Sequence, residues 1–279
     1  MIALDATCIE GIVRAALDED IGSGDITTLL TVPAGTIANA SLVAKGNGII
    51  AGIGVAQAAF AALDPQVTLQ AHLADGSAVK PGDLIAGVSG SARAILGAER
   101  VALNFLQRMS GIATLTAKYV SLVSHTKAKI IDTRKTTPGL RRLEKYAVTV
   151  GGGHNHRFNL SDGILIKDNH IAAAGGVTAA VTAAKKGAPH LLKVECEVTN
   201  LDELAEAIAA GADSVLLDNM PLDMLKQAVE FVAGRAITEA SGGVNESNVA
   251  AIAETGIDLI SVGALTHSAP ALDISLEFK

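Results

Sequence analysis

The order of apolar and polar residues divides this chain into two halves with different patterns of predicted secondary structure. Near the start, apolar residues recur on one helical face and predict an amphipathic helix that ends at Gly22. The residues of this face are Ile9, Ile12, Val13, Ala16 and Leu17. The glycine-containing segment that follows, 22–28, is predicted to be a turn.

Short apolar runs separated by glycine, proline and aspartate occupy the rest of the first half. One helix-like run, 53–63, lies among them, so we expect a small α+β domain. The strand-like runs are 41–44, 48–51, 67–73 and 84–88. A helical pattern then extends from Ala92 to Met109 and resumes after Ser110 and Gly111 as far as Val123. We interpret the Ser-Gly interruption as a domain boundary.

In the second half, apolar and β-branched runs alternate with alanine-rich helical segments. Strands that alternate with helices indicate βα units and a parallel sheet, so the predicted fold class is α/β. We expect the units to close into a βα barrel, with a doubly wound open sheet as the alternative. The strand-like runs are 129–132, 163–167, 191–198, 213–217, 235–239 and 258–262.

Polar residues accompany each of these runs, most of them at its end. The carboxyl ends of barrel strands open on one face, which is where active sites of barrels are built. We therefore expect six strand ends to converge on one pocket. The residues concerned are 132–135, 167–170, Lys193, Glu195, Glu197, Asp218, Asn219, Glu239, 241–243 and Gly263.

Charge is distributed unevenly along the chain. The whole sequence of 279 residues has a net charge of −7, whereas residues 127–170 contain nine Lys and Arg against four Asp and Glu, a net charge of +5. A basic cluster in an otherwise acidic protein attracts a ligand with several negative charges. The alternative is a solvated basic face, which we disfavour because the cations lie among Gly, Pro, His and Thr without helical spacing.

Composition excludes several other classes of protein. No apolar run reaches the roughly 18 residues of a membrane-spanning helix, and no charged-then-apolar leader precedes Asp18, so we expect a cytoplasmic protein. The two cysteines, Cys8 and Cys196, lack metal or redox spacing and are interpreted as reduced packing residues. Only seven Phe and Tyr are present and none is interleaved with a basic patch, which argues against a nucleic-acid partner.

Three charged residues, Lys193, Glu195 and Glu197, alternate along one predicted strand and should point to one side. A structural Lys–Glu pair is one interpretation. With Asp218 at the next strand end, the carboxylates also match a Mg²⁺ site that includes a phosphorylated substrate, because Mg²⁺ prefers oxygen ligands.

Two glycine-containing loops follow the last two strands. They are Ser241-Gly242-Gly243 and Val262-Gly263-Ala264. Glycine lets backbone N–H groups approach an anion, and barrels often bind a phosphate in this pair of loops. Their joint placement predicts a phosphate site.

The run 151–157, GGGHNHR, raises the question of a zinc site. His154, His156 and His170 are the candidate ligands, but neighbouring cations oppose a metal ion. Arg134 and Arg157 can instead bind a carboxylate with two parallel hydrogen bonds. We therefore interpret the histidine and arginine residues beside the glycine run as donors to a carboxylate.

At this point the motifs resemble those of the quinolinate phosphoribosyltransferase family, the carboxylating nicotinate-nucleotide pyrophosphorylases. The resemblance extends from Glu19 to the C-terminus, and its most specific part is 132–170. The motifs, in order, are ERVALNFLQRMSGIAT, DTRKTTPGLRRLEKYAV, GGGHNHR, SDGILIKDNHI, VECEV, LLDNM, EASGGV and SVGALTHS.

This resemblance implies a type II phosphoribosyltransferase with an N-terminal α/β sandwich domain and an incomplete α/β barrel. The implied domains are 1–111, with 269–279 returning to it, and 112–268. The resemblance also implies a homodimer with shared active sites, and leaves further assembly into a larger oligomer open. The implied substrates are quinolinate and phosphoribosyl pyrophosphate, with Mg²⁺ as cofactor and nicotinate mononucleotide, pyrophosphate and CO₂ as products in NAD biosynthesis.

The same resemblance implies a role for individual residues. The carboxylates of quinolinate go to Arg134, Lys135, His156, Arg157 and Lys167, with Arg100 supplied by the partner subunit and Thr133 beside them. Phosphoribosyl pyrophosphate and Mg²⁺ lie near Lys135, Lys167, Glu197 and Asp218, which are the expected catalytic residues; Glu197 and Asp218 are the metal ligands. The 5′-phosphate lies on Ser241, Gly242, Gly243, Val262, Gly263 and Ala264. Glu195 matches the family spacing less well than Glu197.

Other functions remain open at this stage. A nicotinate phosphoribosyltransferase or the related molybdenum-cluster pyrophosphorylase would share the barrel. A Schiff-base aldolase could use Lys167 or Lys193 at a strand end. An anion-binding protein without catalysis could use the same scaffold, since fold does not dictate function.

Overall fold

The structure is a computed structural model that describes residues 4–278. In chain order, the elements are α1 (Ala6–Ile21), α2 (Ile26–Thr31), β1 (Ile37–Ala44), β2 (Gly48–Ile49), α3 (Ile53–Leu63), β3 (Thr68–Ala71), β4 (Ala78–Val79), β5 (Leu84–Ser91), α4 (Ala92–Val123), β6 (Lys129–Ile131), α5 (Arg141–Val150), β7 (Ile164–Ile166), α6 (Asp168–Ala174), α7 (Val177–Gly187), β8 (Val194–Val198), α8 (Leu201–Ala209), β9 (Ser214–Asp218), α9 (Leu222–Val232), β10 (Ile237–Ser241), α10 (Val249–Ala253), β11 (Leu259–Ser261), α11 (Ala264–His267) and β12 (Ile274–Phe278).

These elements form two compact units. The first contains the described residues of 4–117, 136–152 and 266–278, and the second contains 118–135 and 153–265. The expected boundaries were 1–111 with 269–279, and 112–268. The two divisions differ mainly at 136–152, which includes α5 and groups with the first unit.

Polar contacts explain why α5 belongs to the first unit. Glu144, which is almost fully buried, forms an ion pair with Arg108 of α4 at 2.9 Å. The Tyr146 hydroxyl donates a hydrogen bond to the Asp75 carboxylate at 2.8 Å. A buried carboxylate that loses its partner is strongly destabilising, so these contacts hold α5 where it is. Neither contact can be inferred from periodicity, because the partners are far apart in sequence.

The first unit is built on a four-stranded antiparallel sheet with the order β12-β1-β5-β3. A separate antiparallel pair joins β2 and β4. The core of the unit takes Leu42 and Ile85 from this sheet, Leu17 from α1 and Phe60 from α3, each at most 4% exposed.

The first helix ends where its sequence predicts. The Asp5 carboxylate accepts a hydrogen bond from the backbone N–H of Cys8, and the helix ends before Gly22. The predicted turn at 22–28 is wrong in its second part, because Asp25 caps a further short helix, α2, by accepting from the N–H of Thr28. Aspartate is a favoured N-cap residue, and the two glycines that precede Asp25, Gly22 and Gly24, obscured this signal.

Ser110 and Gly111 do not interrupt α4, which is one helix of 32 residues. The Ser110 hydroxyl bonds both to the N–H of Ala51 and to its carbonyl oxygen. A Cβ atom on Gly111 would lie 2.0 Å from the carbonyl oxygen of Pro270. The two residues therefore serve packing in the first unit. Ser110 forms hydrogen bonds with the segment at Ala51, and Gly111 allows the segment at Pro270 to approach the helix closely.

The second unit contains a six-stranded parallel sheet with the order β6-β11-β10-β9-β8-β7. All six strands lie within the runs predicted from the sequence or extend them by at most two residues. Strands β7 to β11 are neighbours in chain order, and the first strand, β6, pairs with the last, β11. This order has no reversal, which distinguishes it from a doubly wound sheet and is the order of a βα barrel.

Within the described residues no pairing joins β6 to β7, and one residue from outside the strands, His154, bridges to β6. His154 and Ile131 form an isolated parallel bridge, with hydrogen bonds from His154 N to Ile130 O at 2.9 Å and from Asp132 N to His154 O at 3.1 Å. The predicted α/β fold, with an N-terminal sheet domain and a parallel-strand C-terminal domain, is confirmed. No helix in residues 4–278 has the length and apolar character needed to span a membrane.

Candidate active site

The carboxyl ends of the parallel strands surround a cavity of about 750 Å³ in the second unit. Alternate residues of the strands face it, as the pleat of a strand requires. Residues predicted from the sequence to form the site make up most of its lining. They are Thr133, Arg134, Lys135, His156, Arg157, Lys167, Glu197, Asp218, Ser241, Gly242 and Gly243.

Several residues that the sequence predicted at the site do not line this cavity. Arg100 is an exposed residue of α4 in the first unit, so its predicted role depends on a partner subunit. Val262, Gly263 and Ala264 directly follow Ser261, which does line the cavity. Lys193 is exposed at the amino-terminal end of β8, beside Asp213, and therefore lies away from the strand ends that form the cavity.

Cations reach the cavity from three segments. Thr133 orders the first, because its hydroxyl accepts a hydrogen bond from the N–H of Lys135 at 3.0 Å. Arg157 belongs to the second segment, and its Nη1 donates a hydrogen bond to the Gly163 carbonyl oxygen at 2.7 Å. Burial, and then the neighbouring Arg134, lower the pKa of Arg157. Two guanidinium groups held close together repel each other, so the arrangement favours an anion between them.

Lys167, in the third of these segments, forms an ion pair with Glu197. The Glu197 side chain is 13% exposed and the Lys167 side chain is 47% exposed, so the pair stands at the wall of the cavity. The neighbouring strand end presents Asp218, whose carboxylate accepts a hydrogen bond from the Asn219 amide at 2.8 Å. Two of the carboxylates that line the cavity, Glu197 and Asp218, therefore lie on adjacent strands, β8 and β9.

The loop after β10 is shaped for a close approach of backbone to ligand. Gly242 has a φ of +90°, and a Cβ atom there would lie 2.2 Å from the Asn219 side-chain oxygen. Gly243, with a φ of +60°, is anchored through its carbonyl oxygen by the amides of Asn245 and Asn248. Backbone N–H groups of a turn can form a concave anion site, and no side chain at Gly242 or Gly243 covers the backbone of this turn.

The two glutamates of β8, Glu195 and Glu197, have different surroundings. Their spacing of two residues predicted that they face the same side of the strand, but it did not predict this difference. Glu197 lines the cavity, whereas Glu195 is buried below it and is not part of the lining. One oxygen of Glu195 accepts from the Ser214 hydroxyl at 2.7 Å, and the other lies 3.1 Å from His156 Nε2. Two residues along a strand span about 6.6 Å. This distance is enough to place Glu197 at the cavity and Glu195 below it.

His156, Glu195 and Glu239 form the only group of three potential metal ligands within the part of the chain that the structure describes. His156 Nδ1 accepts a hydrogen bond from the backbone N–H of Arg157 at 2.7 Å. The neutral ring must then carry its hydrogen on Nε2, where a metal would have to bind. A histidine that binds a metal normally donates from its other nitrogen, so the group does not fit a metal ion.

Glu239 is a site residue that the sequence analysis noted at a strand end but gave no role. It is 1% exposed, and burial, followed by the nearby Glu195, raises its pKa well above the usual range. Glu239 and Ser241 are two residues apart on β10 and must face the same side of the sheet. This spacing could have predicted that Glu239 faces the cavity together with Ser241. The other lining residues without a predicted role are His170, Asn219, Ser261, Leu160, Leu165 and Leu216.

A barrel-like parallel sheet with cations, carboxylates and a glycine loop at one end defines an enzyme of the class that acts on phosphorylated, polyanionic substrates. Comparison with known proteins specifies the family. Residues 25–110 match the N-terminal domain and residues 112–277 match the C-terminal domain of quinolinate phosphoribosyl transferase. The chain belongs to the quinolinate phosphoribosyltransferase family.

Individual relatives agree with this assignment. A probable nicotinate-nucleotide pyrophosphorylase [carboxylating] of Bacillus subtilis is 46% identical over 259 residues, which are 93% of this chain and 89% of the relative. The enzyme of the same designation from Mycobacterium leprae is 46% identical over 274 residues, 95% of each chain. The crystal structure of NadC from Streptococcus pyogenes superposes with a TM-score of 0.95 at 45% identity and covers 100% of both chains. The chain is accordingly an enzyme of quinolinate phosphoribosyl transfer with decarboxylation, a reaction of NAD biosynthesis.

Proposed function

We propose that the cavity of the second unit holds quinolinate and phosphoribosyl pyrophosphate side by side and joins them with loss of CO₂. The observation that carries the proposal is the meeting of three cationic segments, two carboxylates and a glycine loop in one space of about 750 Å³. A volume of this order accommodates small-molecule ligands. Each of the three features suits a different part of the two substrates.

The cations suit the two carboxylates of quinolinate. Arginine binds a carboxylate through two parallel hydrogen bonds, and lysine adds a mobile point charge. The proposed ligands of the quinolinate carboxylates are Arg134, Lys135, Arg157 and Lys167, with His156 beside the bound ring, Thr133 shaping the loop and Arg100 reaching in from a partner subunit.

The glycine loop suits the 5′-phosphate of the ribose. Gly242 and Gly243 have positive φ angles and line the cavity beside Ser241. Val262, Gly263 and Ala264 continue from Ser261, the lining residue of the adjacent strand β11. The two loops are therefore proposed to share the phosphate.

Glu197 and Asp218 are the proposed ligands of Mg²⁺, directly or through water, because Mg²⁺ takes oxygen ligands and keeps several waters. Both carboxylates line the cavity on neighbouring strands, which supports the fit. The ion pair with Lys167 already occupies Glu197 and favours contact through water. When bound, Mg²⁺ supplies positive charge to the departing pyrophosphate.

The chain's own groups suit the chemistry of both steps. As pyrophosphate leaves, positive charge develops at C1 of the ribose, and the nearby carboxylates of Glu197 and Asp218 stabilise it while the pyridine nitrogen attacks. The resulting pyridinium ring accepts the electron pair of the C2–carboxylate bond, so CO₂ leaves without a further cofactor. A proton then adds at C2, for which Lys135 and Lys167 are the candidate donors.

An aldolase mechanism is less well supported. A Schiff base needs a neutral amine, whereas Lys167 is ion-paired with Glu197 and Lys193 lies outside the cavity. Borohydride treatment in the presence of a carbonyl substrate should therefore leave the mass of the protein unchanged.

We also propose a homodimer in which Arg100 of each subunit completes the cavity of the other. Its exposed position on α4 leaves the side chain available to a second subunit.

Both cysteines are free thiols, which supports a location in the reducing cytoplasm.

The test of the reaction uses quinolinate labelled in one carboxylate at a time, together with phosphoribosyl pyrophosphate and Mg²⁺. The 2-carboxylate label should appear as CO₂ in an amount equal to the mononucleotide formed, and the 3-carboxylate label should stay in the product. Release of the 3-carboxylate label, or mononucleotide formation without CO₂, would contradict the proposal.

A further inference from the structure

His156 is held from three directions. Its backbone N–H donates to the Asp132 carboxylate at 2.9 Å. Its Nδ1 accepts from the N–H of Arg157 at 2.7 Å, and its Nε2 lies 3.1 Å from the Glu195 carboxylate. The side chain is 14% exposed and lines the cavity. A side chain with these anchors has little freedom to turn toward a substrate.

The pattern of donors defines the form of the imidazole ring. A backbone N–H can only donate, so Nδ1 must be the nitrogen without a hydrogen. Nε2 then carries the hydrogen and donates it to Glu195. This assignment follows from the network of hydrogen bonds, as tautomers must be inferred where hydrogens are not observed.

The surroundings of Glu195 make it the acceptor in this network. Its second oxygen accepts from the Ser214 hydroxyl at 2.7 Å, so each carboxylate oxygen has a donor. Glu239 does not replace it, because its nearer oxygen is 3.9 Å from His156 Nε2, beyond hydrogen-bond distance. Glu195 does not line the cavity and so reaches the substrate only through His156.

We propose that Glu195 is a positioning residue that fixes His156 as the neutral Nε2–H tautomer and thereby sets the orientation of this ring in the quinolinate site. The proposal rests on the proposed function for the identity of the substrate, but not for the tautomer. Arginine and lysine then supply the positive charge for quinolinate, and His156 supplies a fixed neutral surface. Glu195 thus differs in role from Glu197, two residues along the same strand.

The first test reads the tautomer directly in the protein without substrate. Nitrogen-15 NMR of labelled histidine separates ring nitrogens that carry a hydrogen from those that do not. The His156 signals, identified by their loss in His156→Gln, should show Nε2 with a hydrogen and Nδ1 without one. A hydrogen on Nδ1 would overturn the proposal, whether or not the protein turns over quinolinate.

The second test replaces Glu195. Glu195→Leu removes the acceptor, and the freed ring should raise the KM for quinolinate roughly 10-fold or more, with the KM for phosphoribosyl pyrophosphate unchanged. Glu195→Gln keeps an oxygen for Nε2–H and an amide that can donate to the Ser214 hydroxyl, so it should retain the tautomer and a nearly wild-type KM. Cys196→Ala, on the opposite face of β8, is the matched control and should change neither.

Equal KM values for quinolinate in wild type and Glu195→Leu would overturn the positioning role. If Glu195→Leu does not fold, loss of the Nε2–H tautomer in Glu195→Gln would overturn it instead. The proposed function fails separately, if wild-type protein with the expected tautomer does not convert quinolinate.

Discussion

Single side chains in the cavity manage charge in two ways. Lys167 and Glu197 neutralise each other as an ion pair, while burial, followed by the neighbouring Glu195, raises the pKa of Glu239. Arg134 and Arg157 repel each other, and an anion bound between them would relieve this repulsion. The cavity is therefore arranged for a polyanionic ligand before that ligand binds.

Arg134→Ala and Lys167→Ala should each weaken quinolinate binding by roughly 2–5 kcal/mol, because each leaves a carboxylate of the ligand short of a charged partner. Titration calorimetry with quinolinate alone measures this loss. Arg134→Lys is the matched control and should bind with intermediate affinity, since it keeps the charge and loses the paired hydrogen bonds. Wild-type affinity in Arg134→Ala would remove this residue from the site.

Glu239→Gln should increase stability at neutral pH. Because its pKa is raised in the folded state, the unfolded chain releases this proton at a lower pH than the folded protein does. Folding stability from this group is present below the unfolded pKa and is lost as pH rises through the folded pKa. The gain in the midpoint of urea unfolding over wild type should therefore grow as the pH rises above the usual glutamate pKa of about 4.3. A gain that shrinks with pH would contradict a raised pKa.

Secondary-structure elements show where sequence patterns are informative and where they are not. All six strands of the second unit were predicted, because β-branched runs between helical segments are a local signal. The continuity of α4 through Ser110 and Gly111 was not predicted, because the reason for those residues lies in Ala51 and Pro270. The two-residue spacing along β8 predicted that Glu195 and Glu197 face the same side of the strand. It could not predict that only Glu197 lines the cavity and that Glu195 is buried below it.

The role of Gly111 can be tested against a second helical glycine. Gly111→Ala would place a Cβ 2.0 Å from the Pro270 carbonyl oxygen, and should destabilise the protein by about 1–3 kcal/mol or more. Gly11→Ala, in α1, meets no atom within 4 Å and should stabilise it by about 0.5–1 kcal/mol. Urea unfolding of both variants measures these opposite effects. A change of the same sign in both would show that packing at Pro270 does not decide the residue at position 111.

At the scale of the whole molecule, the sequence located the site by its motifs and the parallel sheet brought them together. Eleven predicted site residues line one cavity, although they come from segments between Thr133 and Gly243. The domain boundary was less predictable, because α5 joins the first unit through Arg108 and Asp75. Arg100 cannot be placed in a site from one chain, since its proposed role belongs to the dimer.

Mixed dimers test that role. Arg100→Ala and Lys167→Ala subunits should each be nearly inactive alone, and their mixture should recover part of the activity because some dimers then contain one intact site. Turnover before and after subunit exchange, followed with subunits of different mass, measures the recovery. No recovery despite verified exchange would exclude Arg100 from a shared site.

The most direct test of the central claim compares quinolinate with nicotinate as substrate. Purified protein receives either acid with phosphoribosyl pyrophosphate and Mg²⁺, and nicotinate mononucleotide and CO₂ are measured together. The account predicts mononucleotide and an equal amount of CO₂ from quinolinate, and no turnover of nicotinate. Turnover of nicotinate in preference to quinolinate would contradict the claim that the cations of this cavity select a dicarboxylate.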